Sequence, residues 1–399
     1  MRIALDATPV GVCTNDKGGV YRYISQLITA LAEIAPSHQF RLLFNFCRSE
    51  HHAAFEEARR TFESPQFEVV RGRIPSALWL SGWIPAELAA GSVDVFHGLY
   101  DFVPPVMRGA AVLTIHDLRY VSIDGSAESD VMRLIRDSPQ LLADYQQRLD
   151  FFRRQRTIIR NVAQRARLII TPSEFSKRSI VDTLGVSEER ISVIQHGVAD
   201  DLRIPVSQQQ VSEVLQRHAI VRPYLLFVGK MDPLKNVEML LRAFAIIRQH
   251  SSMQLVLAGP SGWYGAVLRQ QVEALGLGED VAFLGHITDG DLKALYHGAS
   301  LMVFPSLFEG FGLPVLEAMV SGTPVVCSDH CSLPEVTADA ALLVDPTSEE
   351  ALASAVLDVL EDGELYDRLR CAGLQRSSEF TWQETARKTV LAYEHAAAN

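Results

Sequence analysis

The chain has 399 residues. Because this is longer than a domain with a single hydrophobic core usually is, the length predicts two domains. Its 37 basic and 48 acidic residues give a net charge of −11, which argues against a general nucleic-acid-binding protein. The five cysteines have scattered spacings that indicate reduced thiols. The N-terminus lacks a signal-peptide layout, and no apolar run approaches the ~18 residues that span a bilayer. We therefore expect a cytoplasmic protein, either soluble or peripheral on the membrane surface.

Short apolar runs alternate with helical patterns along the whole chain. In the first half these runs are 2–5, 41–46, 67–70, 94–98, 111–116, 167–171 and 191–195. In the second half they are 224–229, 253–259, 281–285, 301–305, 323–328 and 341–345. Nearly continuous apolar strands of this kind are typical of parallel sheets covered on both faces. The predicted fold is α/β, with a Rossmann-like doubly wound sheet in each half.

The polar stretch 200–222 is the predicted boundary between the halves, which places the domains at 1–205 and 206–380. Residues 382–398 have the pattern of one amphipathic helix. Ligands of open α/β sheets bind beyond the carboxyl ends of the strands. If the strand ends of the two sheets face each other, they form a cleft, and the residues that follow the strands become site candidates.

The stretch SLFEGFGLPVLEAM, residues 306–319, follows one predicted strand. Pro314 suits the first turn of a helix, where its missing N–H costs nothing, so the preceding glycines lie in a strand-to-helix loop. Such a loop lets backbone N–H groups approach an anion. Glu309 and Glu317 flank the loop, and carboxylates there can accept hydrogen bonds from sugar or ribose hydroxyls. Taken alone, Glu317 is explained by the helix dipole, but the whole stretch favours a ligand site.

A second strand–loop–helix stretch, FVGKMDPLKNVEMLLRAF, covers residues 227–244. Lys230 and Lys235 bracket a turn made by Asp232 and Pro233. Two ammonium groups beside a helix N-terminus suit a phosphate or diphosphate. The spacing lacks the GK[ST] ending of a P-loop. Two solvated lysines are the alternative explanation.

Two weaker motifs lie in the first half. His116 and Asp117 follow a buried strand in TIHDL and should face the cleft, with a structural His–Asp pair as the alternative. Gly18 and Gly19 precede an amphipathic helix and can cradle a phosphate or admit a substrate. This glycine pair does not match GxGxxG, so a dinucleotide fingerprint is absent.

The segment 140–167 has apolar residues at helical spacing and an opposite face rich in arginine. The basic residues of that face are Arg148, Arg153, Arg154, Arg156, Arg160, Arg165 and Arg167. Such a strip can rest on anionic lipid or guide a diphosphate-bearing acceptor, although a solvated face is the more ordinary explanation. At most we expect weak peripheral contact with the inner membrane surface or with other assembly enzymes.

Several blocks of the sequence together resemble glycosyltransferase family 4, in the family's order and over nearly the full length. They are TIHDL, TPSEFSKRSI, VIQHGV, FVGKMDPLKN, EGFGLPVLE and FTWQETARKTVLAYE. The resemblance implies a GT-B fold, in which two Rossmann-like domains face across a cleft and a last helix, here 381–399, crosses back to the first domain. It also implies a retaining transferase that uses a nucleotide-diphosphate sugar without a cofactor or a bound metal.

The resemblance implies roles for particular residues. Glu309 should contact the hydroxyls of the donor sugar, Glu317 should bind the ribose, and His116 should lie near the sugar. Lys230 and Lys235 should neutralise the departing diphosphate. Backbone groups near the sugar or the phosphates are expected from Gly310, Phe311, Gly312, Leu313, Gly18 and Gly19. Many members carry an arginine at the position of Lys230 or Leu234, so here a point charge replaces a bidentate fork.

The TIHDL block and FHGLYDFVPP, residues 96–105, look most like bacterial polysaccharide mannosyltransferases. The expected donor is GDP-mannose and the expected acceptor a glycan or polyprenyl-diphosphate-linked glycan, with GDP-rhamnose and UDP-glucose as alternative donors. A nucleotide-sugar epimerase of the same fold and an inactive sugar-binding scaffold are less favoured. A glycoside hydrolase would also use two carboxylates but would not need paired lysines at a helix start. No carboxylate is clearly positioned as a nucleophile, so same-face attack is the expected mechanism.

Overall fold

A computed structural model provides the structure of this chain. It describes residues 1–8, 18–45, 52–72, 82, 84, 86, 88, 93–100, 102–105, 107–119, 154–221 and 223–398. Contacts among these residues divide the chain into two compact units. The first unit combines the described residues up to 119 with residues 154–197 and 381–398, and the second is built from residues 198–380.

The first unit contains a seven-stranded parallel sheet in the order β3-β2-β1-β4-β5-β6-β7. Its strands are β1 (Arg2–Asp6), β2 (Gln39–Asn45), β3 (Phe67–Gly72), β4 (Val95–Gly98), β5 (Ala110–Thr114), β6 (Leu168–Thr171) and β7 (Ile191–Val193). The strand order reverses between β1 and β4, which makes that point the topological switch of the sheet.

The second unit contains a six-stranded parallel sheet in the order β10-β9-β8-β11-β12-β13. Its strands are β8 (Tyr224–Val228), β9 (Gln254–Ala258), β10 (Val281–Gly285), β11 (Leu301–Phe304), β12 (Val325–Ser328) and β13 (Leu342–Val344). Here the order reverses between β8 and β11. All thirteen apolar runs predicted as strands form strands, and the two Rossmann-like parallel sheets are confirmed.

In chain order the helices are α1 (Gly19–Ile34), α2 (His52–Phe62), α3 (154–165), α4 (Glu174–Leu184), α5 (Gln208–Arg217), α6 (Val237–Ile247), α7 (Gly265–Ala274), α8 (Asp289–Gly298), α9 (Leu313–Val320), α10 (Leu333–Thr337), α11 (Glu349–Glu361), α12 (Gly363–Ser377) and α13 (Trp382–Ala398). Helices α1 to α4 and α13 belong to the first unit, and α5 to α12 belong to the second. Within the described ranges, no helix is both long and apolar enough to cross a membrane.

The last helix, α13, is part of the first unit although it follows the second unit in sequence. Trp382 and Tyr393 are buried in the same core as Tyr23 of α1. The Tyr393 hydroxyl also makes a 2.7 Å hydrogen bond with Nδ1 of His97. Apolar burial and a buried polar contact therefore hold this helix to the first sheet.

Contacts divide the first and second units after Gly197, whereas the sequence placed the boundary after Pro205. The backbone N–H of Val198 donates to the Phe380 carbonyl at 3.2 Å, and Leu202 lies in the core of the second unit. Arg203 donates to the Ser377 carbonyl at 3.1 Å. The polar stretch that looked like a linker is thus held to the second unit by contacts with residues that lie far along the chain.

Candidate active site

Two loops lie side by side at the switch point of the second sheet. The lysine loop, residues 229–236, follows β8, and the glutamate loop, residues 305–312, follows β11. The loops touch, because the Leu307 N–H donates to the Leu234 carbonyl at 2.8 Å and the Ser306 hydroxyl donates to the same carbonyl at 3.0 Å. The two motifs are therefore joined at the sheet edge where ligands of such folds bind.

Side-chain caps and one left-handed residue shape the lysine loop. The Asp232 carboxylate accepts from the Leu234 N–H at 3.0 Å and begins a short 3-10 helix, Pro233–Lys235. Asn236 follows with φ of 56°, a left-handed conformation that asparagine tolerates better than most residues. Its amide donates to the carbonyls of Pro305, at 3.1 Å, and Pro346, at 2.7 Å. Asn236 thus directly precedes α6 and also connects the lysine loop to the glutamate loop.

A glycine and a serine shape the glutamate loop. Gly312 has φ of 108°, a left-handed conformation that favours glycine, and a Cβ at this position would lie 2.6 Å from Leu333 Cδ2 and displace that side chain. The Ser332 hydroxyl lies 3.0 Å from the carbonyl oxygens of both Glu309 and Phe311 and donates to them. With Pro314 in its first turn, α9 begins directly after this loop, as the sequence predicts.

The Lys235 ammonium donates to Oε1 of Glu309 and forms an ion pair with it. Both side chains are largely buried, with 11% exposure for Lys235 and 7% for Glu309. Each charge compensates the other where water does so only weakly, and loss of one partner would leave the other buried and unpaired. Two residues 74 positions apart in sequence, each predicted as a donor contact, are thus direct partners.

Glu317 lies on α9 and is almost fully buried, with 3% exposure. The hydroxyl of Tyr296, on α8, donates to its Oε2 at 2.8 Å. Tyr296 lies outside the motifs that the sequence identifies as site candidates. Its helical spacing with other buried residues of α8 predicts burial, and a buried tyrosine hydroxyl usually has a hydrogen-bond partner, but neither signal identifies the carboxylate.

Lys230 is exposed at the start of the lysine loop. The backbone is close-packed at this point, since a Cβ on Gly259 would lie 2.1 Å from the Gly229 carbonyl oxygen. Gly259 therefore lets the end of β9 approach the end of β8. This packing fixes where Lys230 leaves the sheet but leaves its ammonium exposed to solvent.

His116 of the first unit follows β5 and packs edge-on against Tyr23, with ring centroids 4.6 Å apart. Its Nε2 lies 3.2 Å from the Leu99 carbonyl, which can only accept, so Nε2 carries the proton. Its Nδ1 then accepts from Nε2 of His196 at 3.4 Å. Burial lowers the pKa of His116 to about 4, so the ring is neutral at neutral pH.

Asp117 forms an ion pair with Arg119, with 2.7 Å between its Oδ2 and Nη2. Burial opposes ionisation of Asp117, but Arg119 holds the pKa of this carboxyl below its usual value. The ion-pair partner of Asp117 is therefore an arginine two residues away. The structural His–Asp pair considered as an alternative from the sequence is not what engages this carboxylate.

The glycine pair of the first unit lies at the start of α1. Gly18 is the residue before the helix, and both glycines are exposed. A Cβ on Gly19 would meet no atom within 4 Å, so packing within the unit does not require glycine there. Among the described residues, no side chain obstructs this exposed helix start, which is compatible with close approach of a ligand.

Within the part of the chain that the structure describes, no group of three or more histidine, cysteine, aspartate or glutamate side chains could hold a metal ion.

The basic strip, the arginine-rich face of residues 140–167, is described only in part, because Arg148 and Arg153 lie outside the described residues.

The family model "Glycosyl transferases group 1" matches residues 214–376, and the model "Glycosyltransferase Family 4" matches residues 17–202. The chain is 33% identical over 303 residues to O-antigen chain mannosyltransferase B of Escherichia coli. This match covers 75% of this chain and 74% of that protein. The chain belongs to glycosyltransferase family 4. It is an enzyme of the hexosyltransferase class, and both loops and α9 of this glycosyltransferase lie within the group 1 match.

The matches with two other relatives of this glycosyltransferase cover smaller shares of those proteins. The MMP alpha-(1->4)-mannosyltransferase of Mycolicibacterium hassiacum is 33% identical over 60% of this chain and 56% of that protein. The serotype-specific mannosyltransferase WbdA of Escherichia coli is 29% identical, and the match spans 57% of this chain but only 28% of WbdA.

Solved structures support the fold class of the glycosyltransferase. Anabaena Alr3699/HepE in complex with UDP and glucose aligns with a TM-score of 0.73 at 18% identity, over 99% of this chain and 100% of that chain. WaaG, a glycosyltransferase involved in lipopolysaccharide biosynthesis, aligns with a TM-score of 0.68 at 17% identity over the full length of both chains. At such identities the likeness shows the fold alone, and the predicted GT-B class is confirmed.

Proposed function

We propose that this glycosyltransferase is a retaining enzyme that transfers mannose from GDP-mannose to a glycan or polyprenyl-diphosphate-linked glycan in bacterial surface polysaccharide synthesis. The observation that carries the proposal is the buried ion pair of Lys235 and Glu309 at the switch point of the second sheet. A cation for the diphosphate and a carboxylate for sugar hydroxyls meet there, which is the pairing that a nucleotide-diphosphate sugar requires.

The chemistry follows from where charge develops in the transition state. As the bond between the anomeric carbon and the diphosphate oxygen breaks, negative charge grows on the diphosphate and the sugar becomes oxocarbenium-like. Lys235 stabilises the diphosphate electrostatically, with Lys230 and the start of α9 as further positive groups. The acceptor oxygen attacks from the same face, and its proton passes to the departing phosphate oxygen. This scheme requires neither a metal nor another cofactor.

Lys235 and Glu309 compensate each other's charge in the ion pair. A bound donor brings its own partners for both groups, because its phosphates accept from the ammonium and its sugar hydroxyls donate to the carboxylate. After this exchange both buried groups still have hydrogen-bond partners, which limits the desolvation cost of binding. The backbone from Gly310 to Leu313 is proposed to line the sugar and diphosphate. Glu317 is proposed to bind the ribose.

For the first unit, we keep the proposal that His116 lies near the transferred sugar and that Gly18 and Gly19 lie near the phosphates. The supporting observations are the neutral state of His116, which suits a hydroxyl better than a phosphate, and the exposed start of α1. Weak contact with anionic lipid or with other assembly enzymes is proposed for α3, on which Arg154 and Arg160 are exposed and Arg156 is half-buried.

Mannose is proposed because relatives that cover much of this chain carry that sugar in their names. They include the Escherichia coli enzyme above and O-antigen chain mannosyltransferase RfbU of Salmonella typhimurium, which is 32% identical over 51% of this chain. The guanine base rests on the sequence resemblance alone. GDP-rhamnose and UDP-glucose are the competing donors.

A donor screen tests the proposal. Nucleotide release is measured with GDP-mannose, GDP-rhamnose and UDP-glucose, each with and without octyl α-mannoside as a soluble acceptor. We expect acceptor-dependent GDP release from GDP-mannose and a new mannosyl product. Faster turnover of another donor would replace mannose or guanine in the proposal. An altered sugar on the recovered nucleotide would indicate an epimerase, and donor binding without turnover would indicate a scaffold.

A further inference from the structure

A buried tyrosine stands behind one of the two glutamates. The Tyr296 side chain is fully buried, and its hydroxyl donates to Oε2 of Glu317 at 2.8 Å. The backbone carbonyl of Tyr296 accepts from the Thr323 hydroxyl, just beyond α9. Tyr296 is therefore held at two points, because its hydroxyl bonds to a residue of α9 and its carbonyl accepts from the segment that follows α9.

This contact restricts the carboxylate. A glutamate on a helix has three side-chain torsions and several accessible rotamers, and a charge-assisted hydrogen bond to a fixed hydroxyl favours a subset of them. The tyrosine ring is set by only two torsions and is locked in the core, so its hydroxyl has little freedom to follow the carboxylate. The orientation of the Glu317 carboxylate is thus tied to the packing of α8.

We propose that Tyr296 is a positioning residue for the donor, which orients the Glu317 carboxylate toward the ribose hydroxyls. The inference rests on the proposed ribose contact of Glu317. An ionised carboxylate offers about four lone-pair directions, so it can accept from Tyr296 and from ribose hydroxyls at the same time. Because the ribose does not change during the reaction, the tyrosine contributes equally to the bound ground state and to the transition state.

The test compares two tyrosine-to-phenylalanine variants. Tyr296→Phe removes the hydroxyl that faces Glu317. Tyr224→Phe is the matched control, because Tyr224 is also buried in the second unit and its hydroxyl donates to the Leu295 carbonyl at 2.7 Å. Affinities for GDP, UDP and 2′,3′-dideoxy-GDP are measured by calorimetry, and steady-state kinetics are measured with GDP-mannose.

For Tyr296→Phe we expect on the order of tenfold weaker binding of whichever ribonucleotide the wild type binds. KM should rise by a similar factor, while kcat should stay within about twofold of the wild-type value. Binding of the dideoxynucleotide, which lacks both ribose hydroxyls, should be unchanged, and this also shows that the variant is folded. Tyr224→Phe should leave all three affinities near the wild-type values. Equal ribonucleotide affinity in wild type and Tyr296→Phe, or an equal loss with the dideoxynucleotide, would overturn the inference.

Glu317→Gln separates this inference from the function on which it rests. If Glu317→Gln weakens ribonucleotide binding and Tyr296→Phe does not, only the role of Tyr296 fails. If Glu317→Gln leaves binding intact, the ribose contact itself fails. In the double variant the two losses of ribonucleotide binding free energy should be less than additive, because both substitutions disrupt the same contact between Tyr296, Glu317 and the ribose. Full additivity would show that Tyr296 acts independently of Glu317.

Discussion

The second sheet ends in a buried ion pair, Lys235 with Glu309. The first sheet instead ends in histidines, fully buried His97 and half-buried His116, that desolvation keeps neutral. His97 bridges Tyr393 and Thr114 with two 2.7 Å hydrogen bonds, and burial lowers its pKa to about 3. A charged pair can exchange partners with a ligand that brings charge of its own, while neutral rings suit hydroxyl groups. We therefore propose that the second unit supplies the buried cation for the diphosphate, while the neutral histidines of the first unit suit uncharged sugar hydroxyls.

The largest expected effect comes from removing the cation of the second sheet. Lys235→Ala should lower kcat/KM by about two to four orders of magnitude, because the departing diphosphate loses its buried electrostatic partner. Steady-state donor turnover measures this. Lys177→Ala is the control, since Lys177 forms a 2.9 Å ion pair with Glu188 in the first unit. Near-normal turnover in Lys235→Ala would remove Lys235 from the mechanism.

The same substitution should also destabilise the second unit, because it leaves Glu309 buried without its cation, at a cost of about 3 kcal/mol. Adding Glu309→Gln should recover much of that free energy of unfolding without restoring activity. Urea unfolding of the single and double variants measures both effects. Activity that returned together with stability would mean that Lys235 matters only for folding.

The two glutamates should differ in the kinetic parameter that they control. Glu309→Gln should lower kcat together with kcat/KM, because hydrogen bonds to the reacting sugar strengthen as the ring flattens and gains positive charge. Glu317→Gln should mainly raise KM, because the ribose does not change during reaction. Saturation kinetics and calorimetry with the free nucleoside diphosphate distinguish them. One shared kinetic pattern with the same loss of nucleotide affinity would make the loop a single nucleotide-binding element.

The neutral histidines predict how the first unit responds to acid. The folded-state pKa of His116, about 4, lies below its ordinary value of 6.5, so the unfolded chain binds the proton first as pH falls. The contribution of neutral His116 to the free energy of unfolding is therefore complete above pH 6.5 and is lost as pH falls from 6.5 to 4. Urea midpoints at several pH values should show a shallower acid dependence in His116→Asn than in the wild type. The exposed His250 gives the control variant, His250→Gln, and equal slopes in all three proteins would contradict the assignment.

The smallest expected effect concerns the basic strip of α3. A triple Arg→Gln variant at Arg154, Arg156 and Arg160 should bind phosphatidylglycerol vesicles more weakly than the wild type, with little change on phosphatidylcholine vesicles. Added salt should reduce the difference, since exposed charges are screened. The corresponding triple Arg→Lys variant should retain binding. Indistinguishable vesicle binding by the wild type and the Gln variant would remove α3 as a membrane contact.

The sequence predicts the strands well because parallel strands buried on both faces are nearly continuous apolar runs. It also predicts the turn at Gly312 and Pro314, where local conformation decides. It does not predict that Lys235 pairs with Glu309, since this depends on β8 and β11 being neighbours in the sheet. For the same reason it does not identify Tyr296 as the partner of Glu317. Partners fixed by strand order and helix packing leave no spacing signal in one sequence.

We propose that the second sheet supplies the charge stabilisation for mannosyl transfer without a metal. A proton NMR time course of GDP-mannose with octyl α-mannoside in excess EDTA tests this proposal. We expect undiminished turnover and an α-linked mannosyl product, which has the configuration of the donor. A β-linked product would contradict the retaining mechanism, and activity that disappears in EDTA and returns with manganese or magnesium would contradict the role given to Lys235.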